Sequence, residues 1–74
     1  MKLARLNDND VGIIKNVNIN GRQKERLLLL GFIKNSFIKL IKHGVKNKIS
    51  IYEIYNGLVA LRKEDADQIE VEIL

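Results

Sequence analysis

The chain has 74 residues, of which 46% are hydrophobic and 30% charged, a composition typical of a small folded domain rather than a disordered segment. It contains no cysteine, so neither disulfides nor a thiolate metal site can stabilise it, and its hydrophobic core must do so alone. The formal net charge of +4 favours partners that carry phosphates or carboxylates. We expect one single domain over residues 1–74.

Two features argue against a membrane-spanning or secreted chain. The longest apolar runs, at residues 27–30 and 58–61, are far shorter than the roughly 20 residues that span a bilayer. Residues 1–8 become polar before an apolar stretch of signal-peptide length can develop. We therefore expect no transmembrane helix and a cytoplasmic location.

The first half of the chain predicts one strand and one helix. Residues 10–17 combine β-branched residues with polar interruptions, which is typical of a strand. Residues 22–30 are strong helix formers and are followed by Gly31, a residue favoured just past a helix C-terminus. A helix this short is marginal in water, so its leucines should pack against the rest of the fold. We expect Leu27 and Leu30 in the core.

The second half predicts strands joined by short turns. Asn56-Gly57 between strand-like residues predicts a two-residue type I′ hairpin. The polar, basic segment 43–48 predicts a solvated hairpin loop. Within the strands, Ile51 and Val71 are expected in the core. The predicted elements are strands at 36–42, 49–55, 58–62 and 69–73 and one helical turn at 63–68.

About five short strands and one short α-helix after the first strand make an all-β fold. Curling into a small barrel is the simplest way for such strands to bury one face and protect their edges. The segments 12–14, 26–32, 56–66 and 69–71 carry a family resemblance through their order and spacing.

Through these segments, which are spread over the whole chain, the sequence resembles the ferrous iron transport protein A (FeoA) family. The resemblance implies an SH3-like barrel and an accessory role in ferrous iron uptake. It also implies binding to the cytosolic GTPase domain of the membrane transporter FeoB. The chain departs from the family pattern in two places: Lys34-Asn35 stands where the family usually has Pro-Gly, and Leu29 stands where it usually has an acidic residue.

The predicted helix carries four successive leucines, residues 27–30, which are about 100° apart around its axis and do not share one face. Either Leu29 points outward and forms an apolar patch with a basic rim, or the helix is tilted so that all four leucines are buried. The first reading predicts a partner-binding face. Its residues are Arg22, Arg26, Leu29 and Phe32.

The sequence predicts no catalytic, metal or cofactor site. His43 is the only histidine and is expected to be an ordinary loop residue, without further ligands for a metal. Ser36 and Ser50 have no evident group to activate them, so we do not expect an enzyme. The glycines are scattered at turns and form no phosphate-binding loop, so the chain itself should not bind GTP.

The acidic residues Glu64, Asp65 and Asp67 follow no ligand pattern and predict a solvated acidic turn. Two further functions stay open. One is self-association through an exposed strand edge or the leucine patch. The other is a nucleic-acid-binding small barrel, in which a basic strip is flanked by aromatic faces. The strip would use Lys39, Lys42, Lys46, Lys48, Arg62 and Lys63, with Phe37, Tyr52 and Tyr55 as stacking faces.

Overall fold

Five antiparallel strands form one sheet and follow the predicted order along the chain. They are β1 (Val11–Val17), β2 (Phe37–His43), β3 (Ile49–Ile54), β4 (Gly57–Arg62) and β5 (Ile69–Ile73). Helix α1 (Gly21–Leu29) connects β1 to β2, and the four-residue helix α2 (Lys63–Ala66) connects β4 to β5. The sheet order is β4-β3-β2-β1-β5. This computed structural model describes residues 1–74.

The predicted hairpin is present, but it lies one residue earlier than expected. Its two loop residues are Tyr55 and Asn56, with φ angles of 49° and 63°, and Ile54 pairs with Gly57. A type I′ turn needs positive φ at both loop positions, which asparagine tolerates and tyrosine normally avoids. Tyr55 is held there by tertiary contacts, because its hydroxyl lies 3.0 Å from the Ser36 Oγ.

The core is a cluster of fifteen buried hydrophobic residues that includes Leu27 and Val71, as predicted. The predictions for Leu30 and Ile51 are wrong, because 40% and 41% of these residues are exposed. Side chains alternate along β3, and Ile51 lies on the outer face while Tyr52 is buried on the inner face. Leu30 caps the helix where the chain leaves the core.

The N-terminal segment belongs to the core, which the sequence did not predict. Leu3 and Leu6 are 0% and 1% exposed, and residues 3–5 form a 3₁₀ turn. The backbone N–H of Val71 donates to the Met1 carbonyl at 2.7 Å, and the backbone of Lys2 forms an isolated antiparallel β-bridge with that of Glu70. The segment therefore covers the outer edge of β5.

His43 is the last residue of β2 and not a loop residue as predicted. Its Nε2 lies 2.8 Å from the Leu6 carbonyl oxygen and its Nδ1 lies 2.8 Å from the Ser50 Oγ. A carbonyl can only accept, so Nε2–H donates to the Leu6 carbonyl, while Nδ1 shares a hydrogen bond with the Ser50 hydroxyl. The side chain thus ties the N-terminal segment to β2 and β3.

Candidate partner-binding surface

Helix α1 turns one leucine inward and one outward. Leu27 is 1% exposed, whereas Leu29, about 200° further round the axis, is 89% exposed. The reading in which all four leucines are buried is therefore wrong. Arg22 and Arg26 are exposed and lie within about 60° of Leu29 on the helix. The three residues form one outward side, and its role in binding stays a prediction.

Phe32 does not belong to this side. Gly31 adopts a φ of 104° and ends the helix in a Schellman motif, in which Phe32 N–H donates to the Leu27 carbonyl at 2.9 Å and Gly31 N–H donates to the Leu28 carbonyl at 3.0 Å. Phe32 is 0% exposed and packs in the core. Its assignment to the docking face is wrong. The glycine after the leucines was a signal for the end of the helix, whereas the burial of Phe32 depends on the core against which it packs.

Four aliphatic side chains surround the end of α1, and we call them the leucine tip. Single exposed leucines are ordinary, whereas a contiguous apolar cluster is a candidate interaction surface. Leu29 protrudes furthest, and the other three are each 40–44% exposed. The leucine tip consists of Leu28, Leu29, Leu30 and Ile33.

The excess positive charge of the chain is located on helix α1 and the residues that flank it. Residues 15–34 contain five basic residues and one acid, a net charge of +4 that equals that of the whole chain. The rest of the chain carries eight basic and eight acidic residues, which cancel. None of the five basic side chains forms an ion pair. They are Lys15, Arg22, Lys24, Arg26 and Lys34.

A groove of about 410 Å³ lies beside the leucine tip. Leu28 and Ile33 line it together with Lys15, Lys24 and Lys34. An apolar lining with three unpaired ammonium groups suits an apolar side chain that has carboxylates beside it. The leucine tip and the groove thus offer both a protrusion and a recess within one basic region.

A second groove, of about 600 Å³, is lined on one side by Tyr55, which lies directly on Gly31. Its lining includes Phe37 and Tyr55, which are 62% and 67% exposed, and the oppositely charged pair Lys39 and Glu53. The groove extends the apolar surface from the end of α1 toward the outer face of the sheet.

The predicted basic strip is partly neutralised. Arg62 Nε lies 3.2 Å from Asp65 Oδ2, and Lys63 Nζ lies 3.0 Å from Asp67 Oδ2. Lys39 is the cross-strand neighbour of Glu53. Asp65 is 7% exposed, so the expectation of a solvated acidic turn is wrong for this residue. The carboxylates of this turn are engaged by neighbouring cations, whereas Lys42, Lys46 and Lys48 of the strip form no ion pair.

The fold brings Ser50 and His43 together, although no partner for this serine was evident in the sequence. Ser50 is 5% exposed, so its hydroxyl is shielded from a substrate in solution, and the pair supports the N-terminal segment. Tyr52 lies on the same inner face as Ser50. Burial raises the pKa of Tyr52 from its usual 10.0, the hydrogen bond with Ser50 lowers it, and the charge of Asp67 raises it further.

Neither α-helix has the length and apolar character that crossing a bilayer would require. The family model described as FeoA domain matches residues 1–73. A candidate Fe(2+) transport protein A of Campylobacter jejuni is 39% identical over 74 residues, which is 100% of both chains. A Fe(2+) transport protein A/Fe(2+) transporter FeoB fusion protein of Porphyromonas gingivalis is 32% identical over 100% of this chain and 9% of the fusion.

A solved structure has the same fold. The FeoA protein of Stenotrophomonas maltophilia, described as a prokaryotic SH3 domain protein, superposes with a TM-score of 0.81. The match covers 97% of this chain and 89% of that one, at 22% sequence identity. This likeness, together with the strand order, identifies the barrel as SH3-like.

Proposed function

This chain belongs to the FeoA family of small accessory proteins of ferrous iron transport, and we propose that it acts by binding the cytosolic GTPase domain of a FeoB-like membrane transporter. The observation that carries the proposal is the P. gingivalis relative, in which a region similar to this chain and the transporter share one polypeptide. A fusion keeps two modules at high local concentration, which favours pairs that work in contact. The proposal places the chain in the cytoplasm.

The outward side of α1 is the docking face in this proposal. Burial of the 89% exposed Leu29 in an apolar pocket would contribute about 1.5–3 kcal/mol, as for a leucine moved out of water. Arg22 and Arg26 flank this anchor without an internal carboxylate partner. They would contact acidic groups at the rim of the pocket and accelerate association.

The experiment is a binding titration of the full chain against the transporter's cytosolic domain from the same genome. Leu29→Glu should weaken binding by at least about tenfold, because it puts a charge into an apolar contact. Val45→Glu is the matched control, since Val45 is 85% exposed and lies in the loop between β2 and β3. Equal loss of binding in both variants, or in neither, would reject α1 as the docking face.

Salt separates this function from nucleic-acid binding. Docking anchored by leucine should persist at high salt, with a slower association rate as the arginines are screened. Binding to nucleic acid should instead weaken steeply with salt, because counterions are released. Absence of transporter binding at low and at high salt would contradict the proposed function.

A further inference from the structure

The sheet has one capped edge and one open edge. β4 is the terminal strand and pairs only with β3. At the opposite end, Met1 and Lys2 cover β5 through the contacts of Met1 with Val71 and of Lys2 with Glu70. No comparable segment covers β4, so its outer backbone groups are available to another strand.

The backbone of β4 presents hydrogen-bonding groups to this open edge at alternate residues. In a two-residue hairpin, Ile54 and Gly57 form the first hydrogen-bonded pair. From Gly57 onward, every second residue forms such a hydrogen-bonded pair with β3. The pattern continues past the end of β4 to Lys63, whose N–H donates to the Lys48 carbonyl at 2.9 Å. The residues between the bonded positions direct their N–H and C=O groups away from β3. They are Leu58, Ala60 and Arg62.

β4 has few of the features by which edge strands usually avoid pairing, and its one charged residue, Arg62, is at its end. It contains no proline, lysine or acidic residue, and its register with β3 runs over six pairs without a bulge. The β1–β5 and β2–β3 pairs, in contrast, are each interrupted by a register shift. On the outer face, Leu58 is 68% exposed and diagonal to Ile51, which is 41% exposed, and Ile49, opposite Arg62, is 51% exposed. The open edge is therefore regular and continuous with apolar surface.

We propose that β4 pairs with β4 of a second copy of this chain, antiparallel about a two-fold axis at Ala60. The strand is complementary to itself in this register. Ala60 lies opposite the partner's Ala60, whose small side chain allows close approach, and Leu58 lies beside the partner's Arg62. No like charges are directly opposite. Glu53 on β3 is the cross-strand neighbour of Leu58. On this face of the joined sheet, Leu58 therefore lies between Glu53 and the partner's Arg62. The symmetry repeats this opposite-charge relation on the other side.

The dimer would join two five-stranded sheets into one continuous sheet. It would bury the outer backbone groups of β4 and part of the apolar face around Leu58. Helix α1 and the leucine tip take no part in this pairing. The proposal therefore does not depend on the proposed function, and each dimer would carry two free docking faces.

Sedimentation equilibrium of the full chain, over about a hundredfold range of protein concentration, tests the pairing. The wild-type chain should shift from monomer to dimer as concentration rises. Ala60→Lys and Ala60→Glu should each weaken the dimer by at least about tenfold, because like charges then lie directly opposite. A one-to-one mixture of the two variants should restore association. Because Ala60 is exposed, neither variant should lower the melting temperature.

Three results would overturn the proposal. One is a wild-type chain that stays monomeric at every concentration. Another is association that Leu29→Glu abolishes and the Ala60 variants leave intact, which would place the contact at the leucine tip. The third is failure of the mixed variants to associate when the wild type does, which rejects pairing about Ala60. Amide exchange gives a second measurement: Leu58, Ala60 and Arg62 should gain protection as the dimer forms.

Discussion

The ring of Tyr55 lies directly on the backbone of Gly31. A Cβ added at residue 31 would collide with the ring carbons Cδ2 and Cε2, and Gly31 also has a φ of 104°. The tyrosine in turn adopts a φ of 49° in the β3–β4 turn and shares a hydrogen bond with Ser36. Two unusual backbone conformations are thus stabilised by one contact, which fixes the end of α1 against the hairpin.

Gly31→Ala should destabilise the fold by about 1–3 kcal/mol, because it adds both left-handed strain and the collision with Tyr55. In a Tyr55→Ala background the collision is absent, so the same substitution should cost only about 1 kcal/mol. Urea denaturation of the four proteins of this cycle measures the difference. Equal costs in the two backgrounds would show that the ring contact contributes nothing to the effect.

Truncation of Leu27 and of Leu29 should change the stability by very different amounts. Leu27→Ala should cost about 2–5 kcal/mol, because Leu27 is 1% exposed in the core. Leu29→Ala should change the stability by less than about 0.5 kcal/mol, because 89% of Leu29 is already in water. The free energy of unfolding from denaturant titration measures both. A large loss for Leu29→Ala would mean that the helix is tilted more deeply into the barrel.

His43→Ala should loosen the N-terminal segment. The substitution leaves the Leu6 carbonyl and the Ser50 hydroxyl without their shared partner, a loss of about 1–3 kcal/mol. Hydrogen exchange should speed up at residues 1–6 before the sheet itself opens. Protection unchanged in this segment would contradict the role of His43 as its anchor.

Tyr52 should titrate above the usual pKa of tyrosine. Burial, the largest cause, raises its pKa from 10.0, so the folded chain holds this proton more tightly than the unfolded chain. The resulting stabilisation is present below pH 10 and is lost as the pH rises above that value. In Tyr55→Phe, Tyr52 is the sole tyrosine, and its absorbance titration should have a midpoint above 10.0. A midpoint at or below 10.0 would rule out the burial effect.

The sequence predicted the order of the elements because the strands alternate and the turns carry strong local signals. The family resemblance supplied the SH3-like assignment and the expected partner. Asn35 can replace the glycine that the family usually has in this turn, because it adopts the backbone conformation that the turn requires. Its φ of 75° is one that asparagine adopts readily where the family usually has glycine.

The errors arise where tertiary packing decides the outcome. Phe32 follows a helix-ending glycine, and the direction in which such a chain turns depends on the core beneath it. Ile51 was placed on the correct strand but on the wrong face, because Ile49 and Ile51 lie on the outer side of β3 while Tyr52 and Ile54 fill its inner side. The N-terminal leucines were missed, since a three-residue 3₁₀ turn has too short a pattern to recognise.

The most direct test of the account is to map the transporter's contact on the chain. The backbone amide signals of the isotope-labelled full chain would be followed by NMR while the unlabelled cytosolic domain of the transporter is added. The account predicts that the largest changes fall on Arg22, Arg26, Leu29 and the rest of the leucine tip, with little change in the loop around Val45. No change at saturating partner, or changes confined to the sheet, would contradict docking through α1.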